Sequence, residues 1–248
     1  MADMPIWRAL SAVFGICAIT WAVVVFPAFR AEIPLTDTAQ RILSGDRFNA
    51  TQLGMIRSRL QGASTEALPA SALSSTAVVR LLLLEEERVS NRQPSTTDLA
   101  ELQSTVSASL TQSPTNSFMW LVDLSLKRLR DEHEENNIRL LRMSYWSGPN
   151  EAWIAVKRNP MALRVFSSLP DDLAEQAVSE FAGLVNARLY VDAADILAGP
   201  GWAIRDRLLG RLAQVDEDHR RAFARALATK HLEGVTVPGV SERPFHRF

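Results

Sequence analysis

Four histidines, His133, His219, His231 and His246, are the first side chains to test for chemistry, and their spacing argues against it. No two stand within four positions of each other. None joins a carboxylate in the HExxH arrangement that sets two imidazoles on one helix face around zinc. His133 sits in the run Asp131-Glu132-His133-Glu134-Glu135, where a metal is conceivable but a solvated turn is sufficient explanation. The carboxylate pairs Asp171-Asp172 and Asp192/Asp195 have the residue types of a glycosidase acid and base, yet such a pair needs a cleft. Capping and exposed-face roles account for them. The single cysteine, Cys17, lies in the apolar N-terminus, which leaves residues 31–248 without a disulfide, a zinc–thiolate cluster or a cysteine nucleophile. No phosphate loop, GxSxG elbow or dinucleotide fingerprint is present. Gly199-Pro200-Gly201-Trp202 imitates a glycine-rich loop, but a proline has no N–H to offer a phosphate, and a helix stop explains it. The expectation is a non-enzyme with no catalytic, cofactor-binding or metal-ligating residues, and no cofactor.

Recognition is the next possibility. Arg205, Arg207, Arg211, Arg220, Arg221 and Arg225 gather near the C-terminus, interleaved with Asp206, Asp216, Glu217 and Asp218. A salt-bridged solvated surface is the expectation, with an anionic glycan, lipid headgroups or a partner as the alternative. Net charge is −1, so the chain lacks the basic footprint of a nucleic-acid binder. Trp120, Tyr145, Trp146, Trp153 and Trp202 could stack on sugars or anchor a peptide. At helical spacing among Leu and Ile they read as core. Tyr145 and Trp146 are adjacent, so one of the two must turn toward solvent.

The elements that carry these residues begin with residues 9–29, an uncharged run of 21 bracketed by Arg8 and Arg30. As a helix it is roughly 31 Å long, enough for a hydrocarbon core of about 30 Å. Trp7 and Phe29 stand where aromatic rings favour headgroups. A single uncleaved transmembrane anchor, residues 1–30, is expected. A signal peptide would have a shorter apolar region and a small-residue cleavage site. Arg30, Arg41 and Arg47 after the span outnumber Arg8 before it. Long domains translocate largely regardless of such charges, and a periplasmic domain on an inner-membrane anchor is the preferred orientation.

Glu32-Ile33-Pro34-Leu35 then reads as a linker. Asp37 with Gln40 has capping-box spacing for a short helix ending at Ser44-Gly45. Leu53, Ile56 and Leu60 mark a second helix, Thr76–Val89 a buried one, and Leu99, Leu102, Val106 and Leu110 a fourth, capped by Asp98 with Glu101. These make an N-terminal helical region, 31–97, and the start of a core, 98–235.

Within that core the chain repeats itself. Ser113-Pro114-Thr115-Asn116-Ser117-Phe118-Met119-Trp120 is echoed by Gly148-Pro149-Asn150-Glu151-Ala152-Trp153, with Pro114 and Pro149 35 positions apart and Trp120 and Trp153 33 apart. A period near 34 is that of the tetratricopeptide (TPR) helix pair. Asn116 and Ser117 can cap a helix burying Trp120, Leu121, Leu124 and Leu129; Ile138, Leu141 and Tyr145 return on its partner. Beyond Pro160 the period loosens. Leu173, Val178, Phe181, Leu184 and Val185 face inward on one helix, and Tyr190–Leu197 packs back against it. Trp202 opens another, and Asp216 caps a last one with Phe223, Ala226 and Leu227 inside. Residues 236–248 read as an irregular tail. No strand alternation persists anywhere. The expected fold is all-α: an N-terminal transmembrane helix followed by a TPR-like α-solenoid of stacked helix pairs.

The two echoes, with Leu141-Arg142-Met143-Ser144-Tyr145 and Gly199-Pro200-Gly201-Trp202, resemble small bacterial membrane-anchored TPR-like proteins that accompany polysaccharide synthesis and export genes. The resemblance covers about residues 98–240 and carries no catalytic residues. The apolar span, the 34-residue echo and the lack of a catalytic constellation point to a scaffold that binds other membrane or envelope proteins. The leading expectation is therefore a non-catalytic, membrane-anchored adaptor in an envelope assembly, most simply one making or exporting polysaccharide. A scaffold of cytochrome maturation or division is the first alternative, and a glycan-processing enzyme the second.

Overall fold

The computed structural model describes residues 4–61, 68–130, 134–230 and 235–240, less the side chains at 4–6, 8–9, 24–34, 61 and 134–136. All regular structure among the described residues is helical, so the chain is all-α. It divides into two compact units, 1–113 and 114–248.

The first unit holds α1 (Met4–Leu43), α2 (Ala50–Gln61), α3 (Ala70–Val89) and α4 (Thr96–Gln112). α1 is one helix of 40 residues, so the linker expected at Glu32–Leu35 is absent and Asp37 is an interior residue, not a cap. Pro27 and Pro34 each remove a backbone donor from the interior of α1, and the helix continues across both. The apolar run 9–29 lies within α1, but most of its last third falls outside the described side chains. Among the described residues no helix is long and apolar enough to cross a membrane. Leu10, Val13, Phe14, Ile16, Ile19, Trp21 and Val23 are all exposed on α1, whereas Thr38 and Ala39 near its end are buried.

Gly45, at φ 87°, ends α1 in the left-handed conformation that costs glycine nothing. α2 opens on a capping box absent from the sequence reading: Asn49 Oδ1 accepts from the Gln52 N–H and Gln52 Oε1 accepts from the Asn49 N–H, both at 2.9 Å. α3 packs against both α1 and α4, burying Leu73, Ala77, Val78, Val79, Leu83 and Leu84. Facing them, α4 buries Leu102, Thr105, Val106 and Ser109. The Ser74 and Ser109 hydroxyls meet at 2.9 Å, and Arg80 pairs with Glu101. The cap of α4 is Ser95, whose Oγ accepts from the Asp98 N–H at 3.0 Å. Asp98, expected to cap, instead accepts from the Ser95 hydroxyl.

The second unit runs α5 (Ser117–Leu129), α6 (Glu134–Ser147), α7 (Ala152–Arg164), α8 (Asp171–Asn186), α9 (Tyr190–Ala198), α10 (Arg205–Arg211) and α11 (Glu217–Ala228). α5 with α6, and α7 with α8, are two successive helix hairpins whose first helices start 35 positions apart. Asn116 caps α5, accepting from the Met119 N–H. Pro160, beyond which the sequence period loosens, is an interior residue of α7. α8 is the centre of the unit: α7, α9, α10 and α11 all pack on it. Its buried face is the expected Leu173, Val178, Phe181, Leu184 and Val185, and Phe181 meets Phe223 edge-on at 5.9 Å. The helix expected to open at Trp202 begins as a 3-10 turn, Trp202–Ile204, before α10. Asp216 occupies the cap position of α11 without a side-chain cap bond. The supposed tail is tied down where it is described, with Val237 buried and the Arg220 guanidinium donating to the Pro238 carbonyl.

Candidate functional site: a buried Arg–Glu–Tyr network beside exposed tryptophans

α7 buries Ile154, Ala155, Arg158, Asn159, Ala162 and Leu163. Two polar residues thus stand in a face that is otherwise apolar. Arg158 is wholly buried and pairs with Glu180 of α8, whose side chain is 6% exposed. Every guanidinium N–H has a partner. Nε donates to Glu180 Oε1 at 2.8 Å, and Nη2 donates to the same oxygen at 2.6 Å. Nη2 also donates to the Gly148 carbonyl at 3.0 Å, while Nη1 reaches the Ser144 carbonyl at 2.7 Å and its hydroxyl at 3.2 Å. The second carboxylate oxygen, Oε2, accepts from the Tyr145 hydroxyl at 2.8 Å and from Asn159 Nδ2 at 3.2 Å. Asn159 donates as well to the Ala177 carbonyl. The guanidinium carbon sits 4.2 Å from the Tyr145 ring centre.

Electrostatics follow from this enclosure. Burial pushes the Glu180 carboxyl above the usual carboxylate range, with Arg158 foremost among the groups that pull it back. Burial, and then the Glu180 charge, hold the Tyr145 phenol well above its ordinary value. Glu180 accepts four hydrogen bonds and has no free lone pair facing solvent, so it offers nothing to a substrate. What the network does is mechanical. The Ser144 carbonyl in the last turn of α6 and the Gly148 carbonyl just beyond it both accept from Arg158 of α7, while Glu180 ties the same cation to α8. One buried cation sets the register of three helices.

Gly148 makes that closure possible. A Cβ built there would fall 2.6 Å from Ser117 Cβ and 2.7 Å from Glu151 Oε1, so only glycine lets the α6–α7 turn seat against the start of α5. The Ser117 hydroxyl beneath it is buried without a hydrogen-bond partner.

The structure separates the other expected site residues. Tyr145 is buried and Trp146, its neighbour, is 72% exposed. Trp153 and Trp202, read as core, are 46% and 40% exposed. Trp153 leans on Phe118, with ring centres 5.1 Å apart, and Trp202 carries the Arg205 guanidinium at 4.8 Å. Trp120 is half-buried, its Nε1 donating to the Pro114 carbonyl at 2.9 Å. Asp172 pairs with Arg142, and Asp195 with Lys230 at 2.6 Å. Arg207 and Arg211 share Glu175, and Arg221 pairs with Glu217 and Asp218. His219 Nδ1 meets the Tyr190 hydroxyl at 2.7 Å. His133, His231 and His246 lie outside the described residues, and no group of three His, Cys, Asp or Glu suited to a metal occurs within them. Arg158 and Glu180 escaped the sequence reading, although a charge and an amide at helical spacing between Ile154 and Ala162 were the signal.

Comparison of the chain with family profiles, with curated proteins and with solved structures returns no match.

Proposed function

We propose that this chain is a membrane-anchored, non-catalytic scaffold whose helical units hold partner proteins in an envelope assembly, in the first instance one that makes or exports polysaccharide. The observation that carries the reading is α1. Its sequence is uncharged from residue 9 to 29, its described apolar side chains from Leu10 to Val23 are mostly exposed, and its far end is packed into a folded unit. Apolar side chains left outside a folded unit over this length are costly in water, at about 25 cal/mol per Å2 of apolar surface, and free of that cost in lipid. The hairpins α5–α6 and α7–α8, offset by one TPR-like period, support the TPR-like part of the reading, and exposed Trp146 and Trp202 supply the residue type that dominates protein interfaces. The link to polysaccharide rests on the motif resemblance.

Protease digestion of cells with a permeabilised outer membrane tests the placement. Cleavage of residues 31–248 down to a membrane-held stub is expected. Full protection would move the units to the cytoplasm and overturn the export reading. Deletion should lower polymer output while the purified protein turns over no glycan; robust hydrolase or transferase turnover would sink the scaffold.

A further inference from the structure

Four of the six C-terminal arginines, Arg205, Arg207, Arg211 and Arg221, pair with Asp206, Glu175, Glu217 or Asp218, and unmatched positive charge lies also in the rest of the second unit. From Asn136 to Leu169 the chain carries five cations against one carboxylate, Glu151; Arg142 and Arg158 are paired with Asp172 and Glu180, which leaves Arg139, Lys157 and Arg164. α7 itself has no carboxylate. On that helix Trp153, Lys157, Pro160 and Arg164 recur at i, i+4, i+7 and i+11, which places them within about 60° on the side opposite the buried face. Trp153, Lys157 and Arg164 are all exposed, and neither cation has an ion-pair partner among the described residues. Across the short turn, α6 ends in the exposed Trp146 and carries exposed Arg139, again unpaired.

We infer that the outer face of α7 docks on an anionic lipid surface, with Lys157 and Arg164 on headgroup phosphates and Trp153 at the headgroup level. The inference rests on the anchor reading, which keeps the chain at a bilayer. An indole between two cations, with no carboxylate on the helix, is the pattern that suits a negatively charged interface. A groove-binding acidic peptide would ask for a concave site, and this is the convex side of a single helix. Each cation near an anionic surface multiplies the docked population by roughly fivefold, so removing both lowers it about 25-fold.

The test uses the full chain reconstituted into bilayers of brominated phosphatidylcholine, alone or mixed with brominated phosphatidylglycerol. Quenching of each tryptophan is isolated by difference from the W21F and W153F variants. Trp21 should be quenched in both bilayers. Trp153 should be quenched only where phosphatidylglycerol is present, and K157Q/R164Q should abolish that quenching while leaving Trp21 unchanged. Quenched Trp21 with unquenched Trp153, or equal quenching of Trp153 in both lipids, overturns the docking. Unquenched Trp21 overturns the anchor instead, and quenched Trp153 in that case preserves the docking alone. If soluble alginate shields Trp153 from acrylamide in phosphatidylcholine bilayers, the face belongs to an acidic polymer and the lipid assignment falls.

Discussion

Replacing Arg158 with Met removes the cation of the α7–α8 pair and keeps much of its volume. Glu180 is then left with Tyr145 and Asn159 as donors in a site where its side chain is 6% exposed. Breaking a buried pair from one side costs about 3–5 kcal/mol, because the remaining charge is uncompensated. The Gly148 carbonyl also loses its Arg158 donor, worth about 1 kcal/mol more. R158M should therefore destabilise the second unit by about 4–6 kcal/mol, and E180Q, which leaves the guanidinium buried, by about 3. The double change R158M/E180L removes both charges, and its cost should fall to about 1–2 kcal/mol, chiefly the abandoned carbonyls of α6. Native-state hydrogen exchange at amides of α7 and α8 reads this free energy locally and is not confounded by the first unit. If either single variant costs under about 1 kcal/mol, or the double is as unstable as the worse single, the pair does not hold these helices together.

Gly148→Ala should cost about 1–3 kcal/mol, since its methyl meets Ser117 Cβ at 2.6 Å; urea unfolding followed by tryptophan fluorescence would measure it, and an unchanged midpoint would deny the close packing. Tyr145 is held neutral in the folded state by burial, so its raised pKa contributes stability that is complete below the ordinary tyrosine range and is lost as pH rises through and beyond it. In a Y190F background, phenolate absorbance should therefore appear together with alkaline unfolding and not before it. Ser95→Ala removes the cap of α4 and should lower the stability of the first unit by about 1 kcal/mol, read by exchange at the amides of Asp98 and its neighbours.

Burial on α8 was legible because five apolar residues keep one helical phase. Tyr145 and Trp146 were legible as a pair because adjacent helical residues point about 100° apart. Other features depended on competitions that a local pattern does not settle. Ser95 and Asp98 are both good caps three positions apart, and the chain uses the earlier one, with Asp98 as its N3 partner. Glu32–Leu35 looks like a linker by composition, yet the helices on both sides are in register and run through. Trp153 and Trp202 share spacing with core residues, but their positions on the second unit's surface are decided by how α7 and α10 pack. Arg158 is legible only as an anomaly in an apolar stripe, and its partner, 22 positions on, is fixed by tertiary packing alone.

α1 joins the apolar run to the point where Thr38 and Ala39 are buried as one continuous helix, with Pro27 and Pro34 as the two places where it can bend. Such a helix transmits torque. A partner that rotates its apolar end turns the first unit with it, less whatever bending Pro27 and Pro34 absorb, and one that draws it along its axis raises or lowers that unit. Residue insertions ahead of Thr36 would consequently act as a dial, each adding about 1.5 Å of height and 100° of turn. Seven inserted residues bring the unit back nearly to its original heading, about 20° short, whereas four or five leave it pointing elsewhere. A function that depends on which way the first unit faces should therefore recover periodically with insertion length, not decline steadily.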